Sequence, residues 1–175
     1  MPATNPAQLR TATAPDAELL SPLATDTFTE TFGHLYPPED LTAYFSEGYS
    51  PAKLAAEISK PGSLWLIAEL DGFAVGYAQA GACTLPHPEA SPTHGEMKRL
   101  YVRRSHHNLG LGQRMLARSL KFLEQHYPGP LWVGVYSENL GAQRLYQRHG
   151  FAHFGEYEFP VGKTRDREFI FRKDG

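Results

Sequence analysis

The sequence predicts an α+β fold, a mixed, mostly antiparallel sheet of six to seven strands with helices on both faces. Three observations carry that expectation. Two β-rich runs, Leu64 to Leu70 and Phe73 to Ala80, meet at Asp71-Gly72, a pair that favours a two-residue hairpin turn. Glu96 to Tyr127 reads as a strand, a turn carrying two glycines, and a long amphipathic helix. Leu131 to Tyr136 then follows Pro128-Gly129-Pro130 as another strand, and a strand-helix-strand connection implies a locally parallel pair within a largely antiparallel sheet.

From the N-terminus, Pro2 and Pro6 make residues 1–8 a loose end. Leu9 to Thr13 suits a short first strand. Pro15-Asp16 starts a helix whose buried side takes Leu19, Leu20, Leu23, Phe28 and Phe32, with Pro22 near enough to the start to be tolerated. Gly33 to Pro38 breaks it, and Glu39 to Phe45 and Pro51 to Lys60 form two shorter helices before Pro61-Gly62. Beyond the hairpin, Gly81 to Gly95 contains Pro86, Pro88 and Pro92 and reads as an irregular loop with His87 and His94 exposed. The central strand is Glu96 to Val102, and the polar Arg103 to Asn108 ends it. From Gly110 onward, Leu111, Met115, Leu116, Leu120, Leu123 and Tyr127 recur at steps of three and four, which buries one helix face. Asn139 caps a further helix with Ala142, Leu145, Tyr146 and His149 on one side, and Gly150 stops it. Phe151 to Phe159 and Arg167 to Phe171 close the chain as a hairpin around Val161-Gly162-Lys163.

A chain of 175 residues fits one domain, 1–175, able to bury a core without metal or disulfide support. Its 17 Lys and Arg against 19 Asp and Glu leave a net charge of −2, which argues against a general nucleic-acid binder. The single cysteine, Cys83, suits a reducing cytoplasm and reads as a small buried side chain rather than a nucleophile. The longest apolar run, about Leu64 to Ala68, is far short of a membrane span, and the first residues lack a signal pattern, so a cytoplasmic protein with no membrane partner is expected. Neither His87 nor His94 has acidic or cysteine partners at ligand spacing, so no metal is expected.

At the strand-to-helix junction, Gly110 and Gly112 let the backbone turn with amides of the first helical turn pointing outward. Such a turn suits an anion, because the helix dipole places roughly half a positive charge there. Lys98, Arg99, Arg103, Arg104, Arg114 and Arg118 gather along the same stretch as a cationic rim for a polyphosphate. Taken alone, two glycines between a strand and a helix are more often a plain tight connection than a ligand loop. The familiar nucleotide fingerprints fail: no Gly-Lys-Ser/Thr ending follows, and Met115 stands where a Rossmann turn places its third glycine.

Two separated segments together resemble the GNAT superfamily of acyl-CoA-dependent N-acetyltransferases. In LYVRRSHHNLGLGQRML, the run His107-Asn108-Leu109-Gly110-Leu111-Gly112 is similar to that family's Gln/Arg-x-x-Gly-x-Gly/Ala pyrophosphate loop. It departs at His107, where Gln or Arg is usual, and at Asn108, where glycine is common; neither change removes a backbone donor. NLGAQRLYQRHGF, from Asn139 to Phe151, looks like the family's Asn-x-x-Ala-x-x-x-Tyr-x-x-x-Gly-Phe segment. More loosely, Thr31 to Gly33, Lys98 to Val102 and Trp132 to Val135 resemble a PaiA-like subgroup of bacterial polyamine acetyltransferases.

The resemblance implies acetyl-CoA as co-substrate, central strands that splay, and pantetheine running along Leu100, Tyr101 and Val102 as a substitute strand. It implies pyrophosphate on the amides of Asn108, Leu109, Gly110, Leu111, Gly112 and Gln113, with His107 beside them, and a contact from Asn139. An alkyl ammonium with pKa about 10.4 must lose a proton to attack a thioester, and Glu96 is the candidate base once burial raises its pKa, a strand-edge ion pair being the bland alternative. Tyr146 is placed by the resemblance to protonate the leaving thiolate, the bland alternative being a core aromatic. Glu30, Glu39, Asp40 and Glu47 supply negative charge on the acceptor side, compatible with a small cationic amine or polyamine. A peptide or protein N-acetyltransferase, or a non-catalytic acyl-CoA-binding module, is the alternative. A homodimer is a family-level expectation.

Overall fold

The computed structural model describes residues 6–175. Pro2 and most of the expected loose end therefore lie outside the described residues, but Gln8 already belongs to the first strand, β1 (Gln8–Thr11). A short 3₁₀ turn over Ala14–Asp16 leads into α1 (Ala17–Phe32), and α2 (Pro38–Gly48) and α3 (Pro51–Ile58) follow. Helix α1 continues past Pro22, at a cost of about 3 kcal/mol in a helix interior. Burying Leu20, Leu23 and Phe28, each worth roughly 1.5–3 kcal/mol, offsets that cost.

Strands β2 (Leu64–Leu70) and β3 (Phe73–Ala82) form the expected hairpin, with Asp71 at φ 50° and Gly72 at φ 83° making the turn. Then come β4 (Gly95–Val102), α4 (Leu111–His126), β5 (Leu131–Tyr136), α5 (Leu140–Arg148), β6 (Ala152–Val161) and β7 (Thr164–Lys173). All seven strands join one sheet in the order β1-β2-β3-β4-β5-β7-β6. Among the described residues only β4 and β5 run parallel, as the strand-helix-strand reading requires. The last strand, β7, inserts between β5 and β6 and pairs antiparallel with both.

Strand alternation gives the sheet two unlike faces. Leu66, Met97, Val133 and Phe171 meet Leu111, Met115, Leu116 and Leu123 of α4 and Tyr146 of α5 on one side. Trp65, Ile67 and Tyr77 meet Leu20, Leu23, Phe28 and Leu54 from α1 and α3 on the other. Near the start of β5, Trp132 packs with Cys83 and Ile170. There His94 accepts the Trp132 indole N–H at 3.1 Å and His87 packs on the same ring, so neither histidine is the freely exposed residue its loop position predicts. Burial pushes the Cys83 thiol up to about 11, which keeps it protonated and inert.

Asp40 fastens α2 to the β6–β7 turn: its carboxylate accepts the Lys163 N–H at 3.0 Å and the Thr164 hydroxyl at 2.6 Å. Those donors hold its carboxyl below the usual carboxylate range. The ionised form therefore contributes stability above that range, and the contribution is lost as pH falls through the lowered value. Asp40→Asn is expected to unfold at a lower temperature than the parent near pH 7, with the gap closing as pH falls below the usual carboxylate range. Parallel stability curves across that range in thermal scans would contradict the assignment.

Candidate functional site

The site begins where two strands part. The β4–β5 pairing covers only Gly95, Met97 and Glu96 opposite Leu131, Val133 and Trp132. One residue later the β3–β4 register skips, Gln79 facing Arg99 and Ala80 facing Met97, so Lys98 is an extra residue in β4. Such a bulge bends its strand and sharpens the local twist. Beyond it β4 stays bonded to β3 as far as Val102, β5 stays bonded to β7 as far as Tyr136, and their facing edges separate. A cavity of about 770 Å³ opens there, reaching Leu100, Tyr101 and Val102 on one strand and Gly134, Val135 and Tyr136 on the other.

Beside the open end of β4 lies the glycine turn. Gly110 caps α4 in the left-handed region at φ 76°, and Asn108 is left-handed at φ 64°. A Cβ on Gly110 or Gly112 would meet nothing within 4 Å, so the turn's outer side is open. Backbone donation within the connection stops at His107, whose N–H reaches Arg104, and resumes with Arg114 donating to Gly110. The N–H groups between them face no carbonyl of the turn. His107 Nε2 sits 2.8 Å from the Val102 carbonyl, tying the turn to the strand end. Of the loop residues picked from sequence, His107 lines the cavity, Leu111 is buried in the core, and Asn108, Leu109, Gly110, Gly112 and Gln113 lie outside the cavity wall.

Four side chains in the cavity bear on chemistry. Tyr146 is 7% exposed, packs edge-on against Phe151, and is held well above its ordinary pKa by burial, so its phenol stays protonated. Asn139 caps α5, accepting the Ala142 N–H at 3.1 Å, while also lining the wall. Glu96 is 7% exposed, and its carboxylate already accepts the Thr84 N–H at 2.9 Å and the Lys98 ammonium at 3.2 Å. Glu168 on β7 was not among the sequence candidates. It makes no ion pair among the described residues, and burial first, then the nearby Asp166 charge, pushes its carboxyl up to about 8. Its only sequence signal was alternation: Phe169 and Phe171 face the α4 core, so Glu168 faces the other side with Ile170.

The charges read from sequence are distributed differently. Arg103 pairs with Asp26 at 3.1 Å, the Arg104 amide donates to Glu30 at 2.6 Å, and Arg114 and Arg118 cover the carbonyls of Ala7 and Leu9 beside β1. No free cationic rim forms from them. Glu30, Glu39, Asp40 and Glu47 likewise stand outside the cavity wall, whose acidic residues are Glu57, Glu96 and Glu168. No group of three His, Cys, Asp or Glu side chains able to hold a metal occurs among the described residues. Nor is any described helix long and apolar enough to cross a membrane.

Comparison with known proteins supplies independent findings. The model of the acetyltransferase (GNAT) family matches residues 22–151. An uncharacterized N-acetyltransferase in the pepI 3′ region of Lactobacillus delbrueckii subsp. lactis is 29% identical over 151 residues, 86% of this chain and 87% of its own. A spermine/spermidine N(1)-acetyltransferase of Bacillus subtilis is 29% identical over 101 residues, 56% of this chain and 65% of its own. Among solved structures, the PaiA N-acetyltransferase of Thermoplasma acidophilum in complex with coenzyme A superposes with a TM-score of 0.75 at 21% identity, covering 97% of this chain and 99% of that one.

The Glu168 geometry is testable through stability. Because folding raises its pKa from 4.5 to about 8, the folded chain holds that proton more tightly than the unfolded one, and stability falls as pH rises through this window. Glu168→Gln cannot ionise. It is expected to melt at a higher temperature than the parent at pH 8.5, with the difference shrinking by pH 5; equal melting temperatures at pH 8.5 would show that the carboxyl is not buried as described.

Proposed function

The chain belongs to the GNAT family of acetyltransferases, and from that premise we propose that it transfers an acetyl group from acetyl-CoA to a primary amine of a small molecule. The observation that carries the reading is the parting of β4 from β5 after Met97 and Val133, above a cavity that Tyr146 enters from one side and Glu168 from the other. Unpaired strand edges are backbone donors and acceptors that an extended amide-bearing chain satisfies as a strand would. Pantetheine has that shape. The glycine turn offers free N–H groups at the positive end of α4, which suits a pyrophosphate. These features fit the co-substrate from its diphosphate to its acyl end.

Acetyl-CoA supplies an acyl thioester; the protein's part is to handle two protons. Glu168 takes one proton of the bound ammonium, freeing the lone pair that bonds to the acetyl carbon, and the nitrogen sheds its second proton to solvent as the amide forms. Tyr146 gives its proton to the coenzyme sulfur as the carbon–sulfur bond breaks, and a phenol of raised pKa has that proton to give. Proton return from Glu168 to Tyr146 through solvent restores both. A carboxyl near 8 is well placed to work as a base close to neutral pH. Glu96 stands in the same wall, but its engagement with Lys98 and the Thr84 amide suits it to hold that wall in place. The relative named for spermine and spermidine acetylation supports an amine as acceptor.

Release of coenzyme A thiol in the presence of acetyl-CoA and a panel of primary amines tests the reading. Turnover is expected, with kcat/KM falling about tenfold per pH unit below pH 8. Glu168→Gln should lower kcat by about 10²–10⁴ and flatten that limb, as is typical for loss of a general base, and Tyr146→Phe should lower kcat while leaving acetyl-CoA affinity, read by calorimetry, intact. Glu96→Gln should cost less than Glu168→Gln. The reverse ranking would return the base role to Glu96, and no thiol release with any amine would overturn the function.

A further inference from the structure

Most charges lining the cavity are already matched. Glu57 pairs with Lys60 at 2.7 Å and Lys53 at 3.4 Å, and Glu96 pairs with Lys98 at 3.2 Å. Two groups are left over, the carboxyl of Glu168 and the guanidinium of Arg99.

Arg99 is the less expected of the two. It projects from β4 on the α1–α3 side of the sheet, where its guanidinium lies 4.6 Å from the centre of the Tyr49 ring and 5.7 Å from that of Trp65. It forms no salt bridge with any described carboxylate, and its enclosed Nη1 nitrogen makes no well-formed hydrogen bond, although the neutral Tyr77 hydroxyl lies close to the guanidinium. Trp65 Nε1 and the Tyr77 hydroxyl, in the same aromatic cluster, also lack partners. Aromatic faces soften the isolation of a guanidinium but accept none of its N–H bonds. Arg99 as a whole is half-buried at the cavity wall, and a guanidinium nitrogen shut off from water is ordinarily paired with a carboxylate, because an uncompensated charge there is unfavourable. Its permanent charge cannot be relieved by losing a proton.

We propose that Arg99 binds an anionic group of the acceptor, so that the amine acetylated here also carries a carboxylate, as an amino acid or short peptide does. The planar fork of a guanidinium matches a carboxylate with two parallel N–H···O bonds. One unmatched cation balances one negative charge, which favours a carboxylate over a doubly charged phosphate. The second unmatched group, Glu168, lines the same cavity and complements the ammonium end of the molecule. A polyamine brings several positive charges and no anion, leaving Arg99 unmatched and adding like charges beside it. This inference rests on the acetyl-transfer reading for its acceptor, and only the anion site is new.

Two measurements separate them. Thiol release with acetyl-CoA is compared across a set of L-amino acids and dipeptides, their methyl esters, and spermidine, for wild type, Arg99→Gln and Arg99→Lys. Calorimetry measures binding of the corresponding N-acetyl amino acids, and of their methyl esters, to each protein with coenzyme A present. Free carboxylates are expected to exceed their esters and spermidine at least tenfold in kcat/KM. Arg99→Gln should erase that preference through KM with acetyl-CoA binding unchanged, and Arg99→Lys should restore part of it. Turnover with esters or spermidine equal to that with free carboxylates overturns the anion site while leaving acetyl transfer intact. Arg99-dependent binding of N-acetyl amino acids without thiol release from any amine sustains the anion site and overturns acetyl transfer. Carboxylate binding that survives Arg99→Gln unchanged overturns the assignment of Arg99.

Discussion

The structure depends on a pairing that stops early. Strands β4 and β5 run parallel for three residue pairs and then part, because Lys98 is an extra residue that bends β4 away just beyond Met97. Each strand remains anchored on its far side, β4 by β3 and β5 by six antiparallel pairs with β7. The gap is therefore held open by bonds elsewhere in the sheet, and the exposed strand edges lie inside the molecule, where they are shielded from pairing with another chain. Gly134, in the separated part of β5, lets the Tyr157 hydroxyl and Leu85 approach closely, since a Cβ there would lie 2.8 Å from one and 3.2 Å from the other.

A gap through a sheet joins its two faces. On the α4 and α5 side it meets the glycine turn and Tyr146, and on the α1–α3 side it meets an aromatic wall built from Phe28, Tyr44, Tyr49 and Tyr101. Under the proposed acetyl transfer, the two reactants would approach one another from opposite faces without either passing the other. Charge follows the same division of labour: pairs such as Lys98 with Glu96 hold the wall together, while Glu168 and Arg99 keep their unbalanced character. An unpaired ionisable group in such a place costs stability, a cost commonly retained at working sites.

Local pattern made much of this legible. The 3.6 spacing of Leu111, Met115, Leu116, Leu120 and Leu123 announced α4, Asp71-Gly72 announced the hairpin, and Asn139 announced the start of α5. The turn at Gly110 and the cavity positions of Tyr146, Asn139 and Leu100 to Val102 followed from motifs that are local in sequence. What escaped is long-range. Nothing near Thr164 says that β7 passes between β5 and β6, so nothing marked Glu168 as a neighbour of the central gap. The basic stretch from Lys98 to Arg118 looked free for a phosphate because its partners, Asp26 and Glu30, lie more than seventy residues away. Arg99 belongs to that stretch by its neighbours in sequence, but the extra residue Lys98 breaks the alternation with Met97 and turns Arg99 toward the aromatic side.

Hydrogen–deuterium exchange with and without saturating acetyl-CoA tests the central claim most directly, because it reads the backbone groups that the gap and the turn leave unpaired. Amides of residues 108–113, and those of residues 98–102 that face β5, should exchange at least about tenfold more slowly with the co-substrate present. Unchanged exchange in both segments at saturation, with protection confined to another part of the sheet, would contradict the account.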